Sequence, residues 1–338
     1  MSARLVAVVG AGVAGLACAQ RLRASGRTVV VFDKGRRPGG RVSTRRHDGL
    51  QFDHGAQFFT ARDPRFVQLV MRCEDQGQVA RWGGPFATLA AGYLGDDPRP
   101  GAVRYVGLPG MSGLAGALME GLPVRSGSHV ERVLRDGGRF LLEVRGRGAD
   151  TVTREGPFDE VVVTTPPPQA AALLSETDGQ ALQAAEQLSG ALLPSLCAMV
   201  AFEARLAVAA GGMFVVEDDV LGWAAHDGGK PGRGDAPTYV LHGTAEWSLQ
   251  NYQRPPEEFT AALVQAFGRA LGRDGGMPEP THLVGHRWGY ALADGEPPAE
   301  KFVLEASGLG VCGDALGGGR VEGAFVSGLE LGDALAQR

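Results

Sequence analysis

The sequence predicts an α/β protein in which a doubly wound domain with a parallel sheet is joined to a second domain built on a largely antiparallel sheet. Three observations carry this. The first thirty-odd residues read strand, glycine turn, helix, strand. From about 175 to 300, short strand patterns surround a single helix. Near 309–337 a strand, a glycine turn and a helix return to the texture of the beginning.

Leu5–Val9 is an apolar run, Gly10-Ala11-Gly12-Val13-Ala14-Gly15 follows at once, and Thr28–Phe32 is a second apolar run ending in Asp33. This is the spacing of a dinucleotide-binding unit. Gly10 permits the tight turn, Gly12 lets a phosphate approach the backbone, and Gly15 lets the helix lie close on the sheet. Val13, Leu16, Ala19 and Leu22 recur at helical spacing, and Gly26 sits where a C-terminal cap belongs. The helix N-terminus offers free N–H groups and about half a unit of positive charge to a pyrophosphate. Asp33 can accept hydrogen bonds from ribose hydroxyls. Among 52 glycines the bare motif is weak, and its strand–helix–strand setting is what makes a dinucleotide the expectation.

Lys34 opens a loop, Gly35–Arg46, in which the pair Gly39-Gly40 precedes Arg41. Arg41 is expected to turn back toward cofactor phosphates or the chain that follows them. Gln51-Phe52-Asp53 leads into Gly55-Ala56-Gln57-Phe58-Phe59-Thr60, whose adjacent aromatics suit either a core or a surface against a flat ring. Pro64–Cys73 reads as a helix with proline in its first turn. Residues 83–101 read as irregular or short-stranded. A helix is expected over Met111–Glu120, and a hairpin over His129–Leu134 and Arg139–Val144 around Asp136-Gly137-Gly138. Phe158–Thr164 reads as one strand, stopped by three prolines before a helix to about Leu174. Further on, strands are expected at Leu196–Phe202, Met213–Val216, Leu221–Ala225, Tyr239–Thr244 and His282–Trp288, with a helix from Pro256 to Leu271. Leu309–Cys312 is a buried-looking strand ending in Gly313-Asp314, and a helix follows from about Glu322 to Gln337. The expected division is a discontinuous dinucleotide domain of residues 1–75, 102–172 and 300–338, and a substrate domain of residues 76–101 and 173–299.

Composition narrows the class. With 338 residues, 44% hydrophobic and 21% charged, the chain suits a soluble protein of about two domains. A net charge of −5 offers nucleic acid or an anionic membrane no electrostatic footing. Cys18, Cys73, Cys197 and Cys312 form no Cys-x-x-Cys, so neither a zinc site nor a redox dithiol is expected, and a reducing cytoplasm is the natural setting. Arg4 with the apolar run and Ala17-Cys18-Ala19 mimics a leader, but cleavage there would destroy the glycine unit. No apolar run reaches membrane-span length. Oligomeric state leaves no sequence signal.

The glycine unit, Gly39-Gly40-Arg41, and the late Gly313-Asp314 with Val321-Glu322-Gly323-Ala324 together resemble the FAD-binding superfamily of amine oxidases and aromatic hydroxylases. Within it the chain is similar to the renalases, above all their bacterial branch. The stretches that carry this run the length of the chain: Asp53-His54-Gly55-Ala56-Gln57-Phe58-Phe59-Thr60-Ala61-Arg62-Asp63, Lys230-Pro231-Gly232-Arg233, Leu241-His242, His286-Arg287-Trp288 and Cys312-Gly313-Asp314. Bacterial relatives tend to carry Asn and Ser before the Lys-Pro-Gly-Arg, where this chain has Asp227, Gly228 and Gly229. The resemblance implies a Rossmann-type FAD domain with noncovalent FAD. It assigns to the cofactor Gly10, Ala11, Gly12, Val13, Ala14, Gly15, Asp33, Lys34, Gly40, Arg41, Gly55, Ala56, Gln57, Val130, Gly313, Asp314, Val321, Glu322, Gly323 and Ala324.

It further implies oxidation of isomeric dihydronicotinamide dinucleotides by hydride transfer to the flavin, with dioxygen reduced to hydrogen peroxide. Such a substrate is already a hydride donor and needs no strong base, which fits the absence of a nucleophile elbow, a metal cluster or paired carboxylates. Gln57, His242 and Trp288 are the expected catalytic residues. Phe58, Tyr105, Arg287 and Tyr290 are expected around the substrate, with Arg287 facing a phosphate or carboxylate and Trp288 a ring. Trp288 and Tyr290 also suit an ordinary core, and His242 a satisfied buried histidine. Two other readings stay open: an amine or amino-acid oxidase, for which Lys230 is the one lysine that suits a place beside the flavin, and a scaffold that keeps the fold without flavin.

Overall fold

The computed structural model describes residues 4–273 and 275–338. Its central sheet has six strands in the order Phe302–Leu304, Leu309–Cys312, Glu160–Val163, Leu5–Val9, Thr28–Asp33 and Val124–Ser126. Every neighbouring pair is parallel except the first. Val6, Ala7 and Val8 are all buried, as are Val161, Val162 and Val163, because both faces of the sheet are covered and leave no solvent side to alternate toward. From Leu5–Val9 the chain builds out to Thr28–Asp33 on one side, and Glu160–Val163 docks on the other. The order therefore switches beside Gly10 and Thr164, where open α/β sheets bind their ligands.

The helix Val13–Ala24 lies on this sheet and against the last helix, Val321–Ala336. Glycines set both distances. A Cβ on Gly15 would stand 2.0 Å from the carbonyl oxygen of Gly10, and one on Gly328 would stand 2.0 Å from that of Ala14. The two backbones can only approach so closely because neither position carries a side chain. An ion pair between Arg21 and Asp333 closes the far end of the helix contact.

A three-stranded antiparallel sheet, Ser128–Asp136, Arg139–Gly146 and Val152–Phe158, packs its apolar side on the parallel sheet around Val9, Phe32 and Val163. Its first turn has positive φ at both Gly137 and Gly138, as a two-residue hairpin requires. One expectation is corrected here. Phe158–Thr164 is not a single strand. Phe158 pairs with Phe140 at the end of the third hairpin strand, whereas Glu160–Val163 belongs to the parallel sheet. Asp159 is the joint, donating from its N–H to the Leu5 carbonyl at 2.9 Å and accepting from the Leu5 N–H at 2.8 Å. Both segments bury their side chains in one core, so the apolar run crosses the joint unmarked.

The second sheet has seven strands in the order His282–Ala293, Leu192–Ala201, Thr238–Gly243, Leu221–His226, Gly212–Val215, Phe86–Ala90 and Tyr93–Leu94. All pairs are antiparallel except Gly212–Val215 with Phe86–Ala90. The stretch 83–101 thus supplies two strands at the sheet's edge. The helix Pro256–Ala270 covers one face through Phe259, Leu263 and Phe267. The other face receives the segment that ends the small hairpin Arg45–His47 and Leu50–Phe52. Among the described residues no helix is long and apolar enough to cross a membrane, and all four cysteines are free and buried.

Two substitutions test the helix contacts. Gly328→Ala should lower stability by about 1–3 kcal/mol, since its Cβ meets backbone. Gly116→Ala, exposed in the helix Ser112–Met119 with nothing within 4 Å of its Cβ, should raise it by about 0.5–1 kcal/mol. Thermal unfolding of the two variants should therefore shift in opposite directions.

Candidate active site

At the switch point the glycine turn stands open. Gly12 caps the helix Val13–Ala24, and a Cβ there would meet nothing within 4 Å. Asp33 holds the turn by accepting from the Ala11 N–H and the Gly35 N–H, each at 2.7 Å, which leaves further lone pairs for a ligand hydroxyl. The Gly39 N–H donates to the Ala11 carbonyl at 2.9 Å, which draws the Gly39-Gly40 turn alongside. Arg41 reaches across to Asp314, with one nitrogen 2.8 Å from Oδ2, and donates to the Tyr290 carbonyl at 3.1 Å. The Ala56 N–H donates to the Arg41 carbonyl at 2.9 Å, so Arg41, Gly55-Ala56 and Asp314 make one wall from three distant stretches. Glu322 accepts from the Arg62 and Asp63 N–H groups at 2.5 and 2.6 Å, while the first-turn N–H groups of Val321, Glu322 and Gly323 lack intrahelical acceptors by geometry. Open space at one helix N-terminus, an acidic residue for a ribose and a second helix N-terminus suit a dinucleotide such as FAD.

Two further residues assigned to the cofactor adjoin the strand ends at the turn. Lys34 is exposed and reaches Gln169 Oε1 at 3.3 Å. Val130 is buried in the apolar core with Val9 and Phe32.

The inner face of the seven-stranded sheet forms a floor. Register aligns Phe214, Trp223, His242, Cys197 and His286 across five strands, and directly paired residues share a face. The segment from His54 to Phe58 lies over this row. His54 stacks on Trp288 at 5.2 Å and meets His286 edge-on at 4.8 Å. Gln57 faces His242, and Phe58 meets Trp223 at 5.7 Å and Phe214 at 6.5 Å. Trp288 Nε1 donates to the His54 carbonyl at 2.7 Å.

Gln57 is oriented from both sides. Lys230 donates to its Oε1 at 3.3 Å, while its Nε2 faces the Gly55 carbonyl at 3.1 Å, the Asp53 carbonyl and His242 Nε2 at 3.2 Å. The amide nitrogen therefore donates to the ring, which keeps the His242 proton on Nδ1, 3.2 Å from Ser195 Oγ. Burial, followed by His54 and Lys230, drives the His242 pKa down to about 3. Burial, His286 and Arg45 bring His54 to about 3, and burial with Arg45 brings His286 to about 4. All three imidazoles are neutral at neutral pH.

Beneath Gln57 lie four fully buried charges. Lys230 Nζ is 2.7 Å from Asp227 Oδ1 and 3.4 Å from Asp53 Oδ2, and Arg233 pairs with both carboxylates. Asp53 also accepts from Thr44 Oγ1 at 2.7 Å and the Met111 N–H at 2.9 Å. Burial pushes the Asp53 carboxyl up, but Lys230 and Arg233 outweigh it and hold it below the usual range.

Of the expected substrate residues Phe58 reaches this face, as does Trp288 of the expected catalytic ones. Tyr105 stands beside it, stacked on Phe59 at 5.8 Å, and Tyr290 offers its carbonyl to Arg41. Arg287 is not brought here. It alternates with Trp288, packs 5.3 Å over Phe259 and donates to the Arg254 carbonyl on the helix-covered face. Sequence reasoning missed Ser195, His54, His286 and the pairing of Asp53, Asp227 and Arg233 with Lys230. The one available signal was a lysine inside Lys230-Pro231-Gly232-Arg233 in a chain with only three lysines.

Residues 84–334 match the family model of flavin containing amine oxidoreductases, and residues 8–73 match that of NAD(P)-binding Rossmann-like domains. Over 70 residues the chain is 41% identical to protoporphyrinogen oxidase 2 of Arabidopsis thaliana, covering 21% of this chain and 14% of that protein. Over 50 residues it is 54% identical to the 4,4'-diapophytoene desaturase of Staphylococcus haemolyticus (strain JCSC1435), covering 15% of this chain and 10% of that one. The matched stretches are thus a small part of these curated relatives. In fold it is similar to a proposed protoporphyrinogen oxidase from Exiguobacterium sp. 255-15, with TM-score 0.76, 15% identity and coverage of 100% of this chain and 99% of the other. Putrescine oxidase bound to putrescine gives TM-score 0.68 at 15% identity over 100% of both chains.

Two predictions follow from the buried charges. In the unfolded chain the three histidines titrate near the ordinary value of about 6.5. Below that pH the unfolded chain binds protons that the folded one refuses, so stability is full above about pH 7 and falls toward pH 4, by up to about 1.4 kcal/mol per pH unit for each group. Urea midpoints should drop between pH 7 and 5, and His54→Phe should shrink that drop. A flat profile over this range would show that the histidines are not held neutral. Lys230→Met leaves two buried carboxylates facing one guanidinium and should cost about 3–5 kcal/mol, part of which Asp227→Asn in the same chain should restore. Chemical denaturation of the single and double variants measures both.

Proposed function

The chain belongs to the family of flavin containing amine oxidoreductases, with FAD as its cofactor, and we propose that it is a renalase-like oxidase of isomeric dihydronicotinamide dinucleotides. When bound, FAD would supply the two-electron acceptor, with dioxygen as the final oxidant. The overall balance is dihydropyridine, dioxygen and one proton to NAD(P)+ and hydrogen peroxide; the hydride carries two electrons and one of the two hydrogens of the peroxide. On this reading the FAD is held noncovalently, since Cys312 is only 1% exposed within its strand.

The observation that carries this reading is that every carboxylate found at the inner face among the described residues is already paired with a cation. Aromatic rings and three neutral histidines line it, and the nearest carboxylates, Asp53 and Asp227, are each taken by cations. A dihydropyridine needs no base, because loss of its hydride leaves an aromatic ring and no proton to remove. What remains for the protein is to hold a flat ring, exclude water and keep Gln57 and His242 in one hydrogen-bonded arrangement. His242, neutral with its proton on Nδ1, presents no charge that would disfavour a pyridinium product.

A second reading, oxidation of an amine, draws on the fold likeness to putrescine oxidase and on Lys230 beside Gln57. Against it, Lys230 is bound on three sides by Asp53, Asp227 and Gln57, and a protonated amine finds no unpaired carboxylate on this face.

Anaerobic stopped-flow separates the two. Dihydronicotinamide isomers present in aged NADH should bleach the flavin band rapidly, fresh NADH slowly, and admitted air should yield peroxide. Bleaching by putrescine or benzylamine at comparable rates, with no response to the isomers, would transfer the assignment to the amine reading.

A further inference from the structure

At one end of the inner face three aromatic rings, Phe58, Phe86 and Phe214, stand around a guanidinium, and a fourth, Trp223, packs against Phe58 and Phe214. Arg104 is only 3% exposed and stands 4.0 Å over the ring of Phe86, 5.5 Å from Phe58 and 5.9 Å from Phe214. Its two terminal nitrogens are engaged end-on by Asp97, at 2.8 and 2.7 Å. The third nitrogen, Nε, is buried and has no partner among the described residues, and the same is true of Trp223 Nε1. Phe58 and Phe214 touch both residues, so the two orphan donors belong to one box. None of the four rings is fully buried.

Each feature bears on what the box can hold. Buried donors without acceptors are costly, and two of them in one aromatic enclosure look for an acceptor that the protein does not supply. Aromatic boxes attract ammonium groups through the negative ring face, but here the face of Phe86 is already taken by a cation. A second cation would meet repulsion in place of that attraction. The rings still offer flat apolar area, part of it exposed at each of the four.

We propose that this box receives a flat ring bearing a hydrogen-bond acceptor, a carboxylate or carboxamide, and that Arg104 sets its preference against cationic amines. This deepens the reading above and rests on the substrate's ring lying against this face. Arg104 acts through its Nε–H and its charge, and Trp223 supplies the second N–H. The nicotinamide group of a dihydropyridine dinucleotide has this shape and this acceptor.

The test is calorimetric titration of the FAD-loaded protein with benzoate, benzamide and benzylamine, which share a ring and differ in the group it carries. Benzoate and benzamide should bind at least about tenfold more tightly than benzylamine. Arg104→Lys keeps the cation but loses the planar donor. It should cost benzoate about tenfold while benzylamine stays excluded. Arg104→Met should close the gap between benzoate and benzylamine, and Trp223→Phe should weaken benzamide by about fivefold and leave benzylamine unchanged. Equal binding of benzylamine and benzoate to the parent protein overturns the proposal, and so does a ratio that survives Arg104→Met. These outcomes are independent of the flavin reaction. Bleaching by dihydropyridines without benzoate binding would sink the box and keep the function, whereas benzoate binding without bleaching would do the reverse.

Discussion

Four charges with almost no access to water, Asp53, Asp227, Lys230 and Arg233, are the constraint on which the candidate site depends. Such a cluster is expensive to bury and is tolerated only when each charge has its partners. That requirement makes it a geometric device. Asp53 ends the segment that enters from the small hairpin, whereas Asp227, Lys230 and Arg233 come from the loop after Leu221–His226 of the other sheet. Satisfying the charges therefore fixes the distance and angle between that segment and the sheet. Gln57 takes its orientation from Lys230, and His242 takes its tautomer from Gln57. A salt cluster below the site in this way decides where one proton sits within it.

The Asp227-Gly228-Gly229 stretch acquires a physical meaning at the same point. Asp227 is the second carboxylate, without which Lys230 and Arg233 would share Asp53 alone. The glycines that follow it are equally constrained. A Cβ on Gly228 would stand 1.9 Å from the Ala236 carbonyl, and one on Gly229 would stand 2.6 Å from His226 Nδ1. The Asp-Gly-Gly sequence thus closes the loop tightly around the charges and presents no side chain to the ligand face from those two positions.

Much of the fold was legible because local pattern and tertiary role coincide. Leu309–Cys312 is apolar throughout because both its faces are covered, and Val13–Ala24 carries its one glycine, Gly15, where backbone meets backbone. The failure at Phe158–Thr164 arises where that coincidence stops, since two sheets share one core and the pattern does not change at Asp159. In the site, the open glycine turn and Asp33 are local and were readable. Trp288 and Arg287 could have been assigned to opposite faces by alternation, although which face is the inner one depends on the segment from His54 to Phe58. The charge cluster was beyond reach, because Asp53 and Lys230 lie 177 residues apart and nothing in either neighbourhood announces the other. Arg104 was passed over for the same reason: its aromatic partners come from three separate stretches of the chain.

The close seating of the first helix against the last has a consequence for how the molecule assembles. Arg21 and Asp333 are 312 residues apart, and the backbone contact at Ala14 and Gly328 is of similar range. The nucleotide turn is local in sequence, yet the helix behind it is buttressed by the last helix, which lies far along the chain, and by Ser112–Met119. Contacts of such long range raise the entropic cost of closing the chain and slow folding. Until the last helix docks, the apolar side of the first helix, including Ala17 and Cys18, lacks its cover, so partly folded chains at this stage are the ones exposed to aggregation. A chain shortened at the last helix would be expected to expose that side and to accumulate as insoluble material.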